Sequence, residues 1–167
     1  MSDSNERETL WAPWRIEYIT GQREEGCIFC NRLAVTDDRR SLILARGLQS
    51  FVMMNKFPYN NGHLMVTPIR HTADFGSLTA DEILEIFSFV KTFSEVFHTV
   101  MKPHGLNVGL NLGRTAGAGV EDHLHVHVVP RWDGDTNFMP VIGGVKVISE
   151  HIQSTYDKLL QAYQTLK

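Results

Sequence analysis

The chain lacks the features that would suit it to a membrane, to a nucleic-acid duplex or to a disulfide scaffold. No stretch approaches the roughly 20 consecutive apolar residues that a bilayer-spanning helix needs, and no internal repeat or low-complexity linker is present. The opening Met1-Ser-Asp-Ser-Asn-Glu-Arg-Glu is polar and has neither the basic nor the apolar region of a secretory signal, so a cytoplasmic location is expected. Sixteen Lys and Arg stand against 19 Asp and Glu, a net charge of -3. That balance provides no polycationic surface for a duplex, although local groups can still bind a small anion. Only two cysteines occur, Cys27 and Cys30, in Gly-Cys-Ile-Phe-Cys. In a reducing compartment such a CxxC pair reads as metal-binding or redox-active rather than as a structural disulfide. The redox reading calls for a thioredoxin-like βαβ setting, which this stretch does not show, and a metal site calls for two further ligands.

What is present is more specific. Residues 123 to 127 read His-Leu-His-Val-His. On a β-strand successive side chains alternate between faces, which puts His123, His125 and His127 on one face and Leu124, Val126 and Val128 toward a core. A solvent-facing strand that happens to use histidine is one reading, and a zinc site built on alternating His is another. The third is a catalytic site, since imidazole serves near neutral pH as nucleophile, proton carrier or donor. Just upstream, Gly105 to Gly119 combines a strand pattern over about Leu106 to Leu112 with the glycines Gly113, Gly117 and Gly119. This predicts a hairpin, either an ordinary turn or a loop whose backbone N–H groups converge on an anion.

The remaining pattern supplies a scaffold. Leu42 to Ala45, Phe51 to Asn55 and His63 to Thr67 read as short strands, the first two joined about Arg46-Gly47 and the third closed by Pro68. Thr79-Ala-Asp-Glu82 is a capping-box start. From it Ile83, Ile86, Phe87, Val90, Phe93, Phe97 and Val100 recur at helical spacing to about Met101, where Pro103 stops the helix. This stripe is read as core, and His98 and His104 are assigned no catalytic part. Residues 131 to 147, with Gly134, Pro140, Gly143 and Gly144, read as a loop or covering arm. Ile152, Tyr156, Leu159, Leu160, Tyr163 and Leu166 form one face of a terminal helix beginning near Ser149. The expected fold is α+β: a five-stranded, mainly antiparallel sheet with one long helix and a C-terminal helix. With 43% hydrophobic and 21% charged residues, the 167-residue chain is expected to form one domain.

The strand His123-Leu-His-Val-His127-Val-Val resembles the HxHxHxx signature of the histidine triad (HIT) superfamily of nucleotide hydrolases and transferases. The likeness extends through Asn55, through Asn61-Gly-His-Leu-Met-Val-Thr-Pro68 and through the Asn111 to Gly119 loop, covering roughly residues 27 to 135. Leu10-Trp-Ala-Pro-Trp-Arg15, Pro103 to Gly113 and Pro130-Arg-Trp132 are most similar to the branch containing bacterial diadenosine tetraphosphate phosphorylases. The resemblance implies a HIT-like fold and catalytic roles in the triad His123, His125 and His127. His125 would be the nucleophile and His127 a donor to non-bridging phosphate oxygens. Asn111, Arg114 and backbone N–H groups from Gly117 to Gly119 would join the nucleotide site, Asn55 would contact the ribose, and His63 would support the triad from behind. GalT-like and some bacterial relatives complete a CxxC zinc site with two histidines that correspond to His71 and His123, which implies a structural zinc on Cys27, Cys30, His71 and His123. No organic cofactor is implied. Relatives pair two sheets edge to edge, so a homodimer is expected, with Trp11, Trp14 and Trp132 as covers for the dimer or the base pocket.

One departure from the family pattern bears on the substrate. Many relatives carry Gln, Ser or Thr three and four residues before the first triad histidine, where this chain has Val120 and Gly119. Leaving-group protonation then falls to a backbone group, a water or Arg114. The expected function is cleavage of dinucleoside polyphosphates through a nucleotidyl-histidine intermediate, with phosphate or water as acceptor. The alternatives are a phosphoramidate hydrolase of the Hint-like branch and a nucleotide-binding regulatory protein with little turnover.

Overall fold

The computed structural model describes residues 25–138, 142 and 148–166. Its sheet consists of β1 (Ile43–Arg46), β2 (Ser50–Met54), β3 (Leu64–Pro68), β4 (Gly105–Leu110) and β5 (Val126–Arg131), in the spatial order β1-β2-β3-β5-β4. Every ladder is antiparallel, so the expected five-stranded α+β architecture is observed. The long helix α3 (Ala80–Val100) and the terminal helix α4 (Ile152–Leu166) accompany it, together with two short helices that the sequence pattern did not reveal, α1 (Ile28–Ala34) and α2 (Asp38–Ser41).

Alternation along the strands serves two cores, one on each face. Val52, Met54, Leu64, Val66, Val126 and Val128 pack with Ile86, Phe93, Val96 and Phe97 of α3 and with Tyr156, Leu159 and Tyr163 of α4. Phe51, Met53 and Met65 point the other way and meet Ile43 and Phe29, the buried residue of α1. His127 pairs with Met65 across the β3–β5 ladder and therefore shares this second face. The triad is consequently not solvent-facing. His123, His125 and His127 are only 1%, 6% and 9% exposed, because Phe29 of α1 packs on His123 and His125 and Tyr59 packs on His127.

The triad is also only partly strand. The β3–β5 ladder runs from Leu64↔Val128 to Val66↔Val126, and Pro68 at the end of β3 has no N–H to continue it. Side chains hold the two segments together instead: Thr67 Oγ1 donates to the Leu124 carbonyl at 2.7 Å and His123 Nε2 donates to the Pro68 carbonyl at 2.8 Å. Residues 123 to 125 thus enter β5 as a lead-in tied by side chains.

Helix α3 has the expected start and a different buried stripe. Thr79 accepts from the Glu82 N–H while Glu82 reaches back to the Thr79 N–H, a complete capping box. At the other end the Met101 and Lys102 N–H groups both reach the Phe97 carbonyl, Lys102 adopts φ 47°, and Pro103 ends the helix. Ile86, Phe93 and Phe97 are core as expected, joined by Val96. Ile83, Phe87 and Val100, also assigned to the core, are 39%, 50% and 37% exposed; Ile83 and Phe87 lie on the flank toward Leu110 of β4, the edge strand, and Val100 lies at the C-terminal end of the helix. Helix α3 also grips the β1–β2 turn. The Glu85 carboxylate accepts from the N–H groups of Leu48, Gln49 and Ser50, and a Cβ on Gly47 would lie 2.5 Å from it.

The segment after β5 is fastened by Asp135. It takes two bonds from the Arg131 guanidinium and one each from Asn60 Nδ2 and the Trp132 N–H. This fixes Trp132, whose indole N–H donates to the Met101 carbonyl at 3.2 Å. Trp11 and Trp14 lie outside the described residues, as do Pro140, Gly143 and Gly144 of the expected arm. Helix α4 starts at Ile152, three residues beyond the expected Ser149.

The Glu82 carboxyl also receives two bonds from the Arg70 guanidinium, and this pair together with the Thr79 N–H lowers its pKa from an ordinary 4.5 to about 2. A folded-state pKa below the unfolded one gives stability that is complete above the unfolded value and lost as pH falls through the folded one. Glu82→Gln is therefore expected to cost about 1–2 kcal/mol at pH 7. The gap to the parent protein should close between pH 4.5 and about 2, as measured by denaturant unfolding across that range.

Candidate active site

The three triad imidazoles do different things, and neighbouring backbone groups decide which. A neutral imidazole carries one N–H and one lone pair, so a fixed partner on one nitrogen sets the other. His123 Nε2 faces the Pro68 carbonyl, which can only accept, so Nε2 carries the proton and Nδ1 the lone pair. That Nδ1 turns toward the cysteines, 3.3 Å from Cys27 Sγ and 3.7 Å from Cys30 Sγ. His125 Nδ1 lies 2.9 Å from the His123 carbonyl and must likewise donate. Its Nε2 is left unprotonated.

His127 has the opposite arrangement. The Tyr59 N–H donates to His63 Nδ1 at 3.0 Å, with Asn55 Nδ2 at 3.3 Å from the same nitrogen. His63 therefore carries its proton on Nε2, which donates to His127 Nδ1 at 2.9 Å. The His127 proton then sits on Nε2, a buried donor with no hydrogen-bond partner among the described residues. An orphaned buried N–H costs about 1–3 kcal/mol, and such a group points to a ligand acceptor. The site thus places a lone pair at His125 Nε2 and a donor at His127 Nε2 on rings whose centroids are 4.7 Å apart.

Burial keeps these rings neutral. Desolvation pushes the pKa of His125 below its ordinary value, and it pushes that of His127 from 6.5 to about 4, with His125 adding a smaller effect. His123 is lowered mainly by desolvation as well. Phe29, between the two cysteines in sequence, supplies part of that burial, its ring centroid 5.2 Å from His123 and 4.9 Å from His125. Tyr59 lies against His63 and His127 on the other side. Neither aromatic was singled out from the sequence; the signals were the place of Phe29 inside CxxC and of Tyr59 in the short loop before Gly62-His63.

Cys27, Cys30, His71 and His123 offer four ligand atoms all within 4.8 Å of one another, the only such convergence among the described residues. Cys30 Sγ is 3.4 Å from His71 Nδ1. These spacings match the roughly 3.6 Å sulfur-to-nitrogen edge of a tetrahedral zinc site. The hydrogen bond from His123 Nε2 to a carbonyl is the usual support behind a metal-ligating imidazole. Burial, and then the neighbouring Cys27, raise the Cys30 thiol pKa, a setting in which a cation would compensate paired thiolates. The residues fit the metal. The alternative in which the triad itself binds a catalytic zinc has no such convergence among the described residues.

Asn55 is half-buried, its Oδ1 accepting from the Phe57 N–H at 2.9 Å. Asn111 Nδ2 reaches the Gly117 carbonyl at 3.5 Å. The loop forms a single helical turn over Arg114–Ala116, in which the Gly117 N–H donates to the Arg114 carbonyl and the Ala118 N–H to the Gly113 carbonyl. The expected cradle of consecutive N–H groups is therefore reduced to that of Gly119. Arg114 is exposed on this turn. His104 is exposed and faces Asp133, and His98 lies in the last turn of α3, both apart from the triad.

Comparison with known proteins identifies the family and the fold. The chain is 40% identical over 156 residues to an AP-4-A phosphorylase of Mycobacterium tuberculosis, covering 89% of this chain and 80% of that one. It is 31% identical over 113 residues to an uncharacterized HIT-like protein of Saccharolobus solfataricus, covering 68% and 79%. A Zn-bound histidine triad family protein from Mycobacterium smegmatis shares the fold with a TM-score of 0.67 at 19% identity, over 84% of this chain and 95% of that one. A hypothetical histidine triad nucleotide-binding protein from Sulfolobus tokodaii gives 0.65 at 26%, over 84% and 94%. The HIT domain model matches residues 39–134, and with these relatives it establishes that the chain belongs to the HIT family.

Proposed function

We propose that the chain is a nucleotidyl-transferring enzyme that cleaves dinucleoside polyphosphates at the α-phosphorus by two successive displacements. The chain is an enzyme of the HIT family, and its relatives include an AP-4-A phosphorylase and an asymmetrical bis(5'-nucleosyl)-tetraphosphatase. The observation that carries the mechanism is the pair of opposite tautomers at His125 and His127. The His125 Nε2 lone pair attacks the α-phosphorus, and the bond to the bridging oxygen breaks with its electron pair leaving on the nucleoside polyphosphate. The imidazole, now cationic, keeps its Nδ1–H on the His123 carbonyl, which stabilises the charge. His127 Nε2–H donates to a non-bridging oxygen. In the second step an oxygen of inorganic phosphate or water attacks the same phosphorus and the P–N bond breaks, returning His125 to its neutral form. Asn55 is assigned to the ribose, and Asn111, Arg114 and the Gly119 N–H to the surroundings of the phosphates, with Gly117 turning the loop at φ 91°.

Gly119 and Val120 offer no side-chain acid to the leaving group. A nucleoside polyphosphate leaves as a stable anion and needs little protonation, whereas an amine needs a proton. Dinucleoside polyphosphates should therefore be cleaved with a much higher kcat/KM than adenosine phosphoramidates; equal use of the two would contradict the proposal. With diadenosine tetraphosphate, ADP plus ATP appearing only when phosphate is present identifies phosphate as the acceptor, and AMP plus ATP identifies water. His125→Ala should reduce turnover by a factor on the order of a thousand while the protein stays folded.

Cys27, Cys30, His71 and His123 are proposed to hold one zinc per chain, which would cross-link α1 to the lead-in of β5 as a structural tie. Elemental analysis should find one zinc, and Cys27→Ser should lose it and lower Tm by about 5 °C or more. Zinc-free wild-type protein of undiminished stability would count against the site. A homodimer is supported by the exposed Phe75, Ile83, Leu84 and Phe87 beside the unpaired edge of β4, where Val108 is also exposed. Sedimentation at the mass of one chain would refute it.

A further inference from the structure

Tyr59 meets the histidine relay twice. Its backbone N–H donates to His63 Nδ1 at 3.0 Å. Its ring lies 4.5 Å from the His63 ring and 5.4 Å from the His127 ring, tilted 34° and 35°, while those two rings are 5.1 Å apart. The phenol therefore sits astride the His63–His127 hydrogen bond with one face inward, and with 49% of the residue exposed it forms the wall between that bond and solvent. The loop that carries it is closely tied. The Asn55 N–H donates to the His63 carbonyl, the His63 N–H to the Asn60 carbonyl, and the Phe57 N–H to Asn55 Oδ1. Gly62 closes the loop at φ 78°, where a side chain would also come within 2.9 Å of Met101 Sδ.

The tautomer of His127 decides whether the group facing the substrate attracts or repels it. With the proton on Nε2, that atom donates to a phosphate oxygen; with the proton on Nδ1, it would present a lone pair to an anion. In water both imidazole tautomers are solvated and coexist, so the protein must both choose one and keep water from competing for the choice. The Tyr59 N–H makes the choice at His63, and the Tyr59 ring covers the bond that passes it on to His127.

We propose that Tyr59 is a positioning residue for the reaction, its backbone N–H and ring together locking His63 and His127 in the one tautomer pair that directs the His127 Nε2–H at phosphate oxygens. The inference rests on the reading of His127 as that donor. Its test is made on the resting protein, so that the two can fail separately.

The experiment is 15N NMR of the imidazoles in ligand-free wild type, Tyr59→Phe and Tyr59→Ala, each checked for folding by its melting curve, followed by kcat and KM with diadenosine tetraphosphate. Wild type and Tyr59→Phe should show His63 and His127 each with a protonated Nε2 and an unprotonated Nδ1. In Tyr59→Ala, which keeps the N–H and removes the wall, the two nitrogens of His127 should move toward averaged shifts. Its kcat should fall on the order of tenfold with KM changing less than about twofold. A single retained Nε2–H tautomer in Tyr59→Ala would overturn the proposal. So would a loss in Tyr59→Phe as complete as in Tyr59→Ala, since the ring face would then not be the cause. The expected tautomer change in a protein that does not cleave dinucleotides would support the lock and overturn the proposed function instead.

Discussion

His125 and His127 can act as a nucleophile and donor pair only because the backbone around them holds two chemically identical rings in opposite tautomers. The His123 carbonyl takes the Nδ1 proton of His125, and the Tyr59 N–H, relayed through His63, leaves His127 with its proton on Nε2. Reversing either tautomer would leave a buried polar group facing its like, at about 1–3 kcal/mol. At 1.4 kcal/mol per factor of ten, that biases each ring by roughly 5- to 150-fold. The bias costs no charge. All three triad rings are pushed toward neutrality by burial, which keeps the nucleophile free of a proton and spares the site the repulsion of adjacent imidazolium groups.

The sheet is what makes such burial possible. Because α3 and α4 fill one face, the other carries a small second core closed by α1 with Ile69 and Val120, and the Phe29 of α1 sits between the two cysteines and packs on both His123 and His125. His123 belongs to two structures at once. Its ring joins the Cys27, Cys30 and His71 cluster, and its carbonyl fixes the ring of His125. Pro68 supports both roles, ending the β3 ladder so that its own carbonyl is available to His123 Nε2.

Much of this fold was legible in the sequence wherever a side-chain pattern directly records an environment. Strand alternation located four of the five strands within a residue or two, while β5 begins at Val126, three residues after the expected His123, and Thr79 and Glu82 marked the start of the long helix. The clustering of Cys27, Cys30, His71 and His123 followed from the resemblance to the family. What was not legible depends on partners distant in the chain. Helix α1 has seven residues, too few for a helical period to register, so the burial of the triad was missed. The stripe on α3 could not reveal that Ile83, Phe87 and Val100 face outward, since periodicity reports a face and not what covers it. The Gly117 and Ala118 N–H groups could not be known in advance to close a helical turn. The tautomers depend on backbone atoms of His123, Pro68 and Tyr59, which leave no mark on residue type.

The central claim is that His125 Nε2 forms a bond to phosphorus, and the stereochemical course at that phosphorus tests it most directly. Each in-line displacement inverts the configuration. A dinucleoside polyphosphate made chiral at the α-phosphorus with sulfur and labelled oxygen, cleaved by the wild-type protein, should therefore give a nucleotide product with overall retention, the signature of two displacements through a nucleotidyl-histidine. Overall inversion would mean that phosphate or water attacks the substrate directly, and His125 would not be the nucleophile.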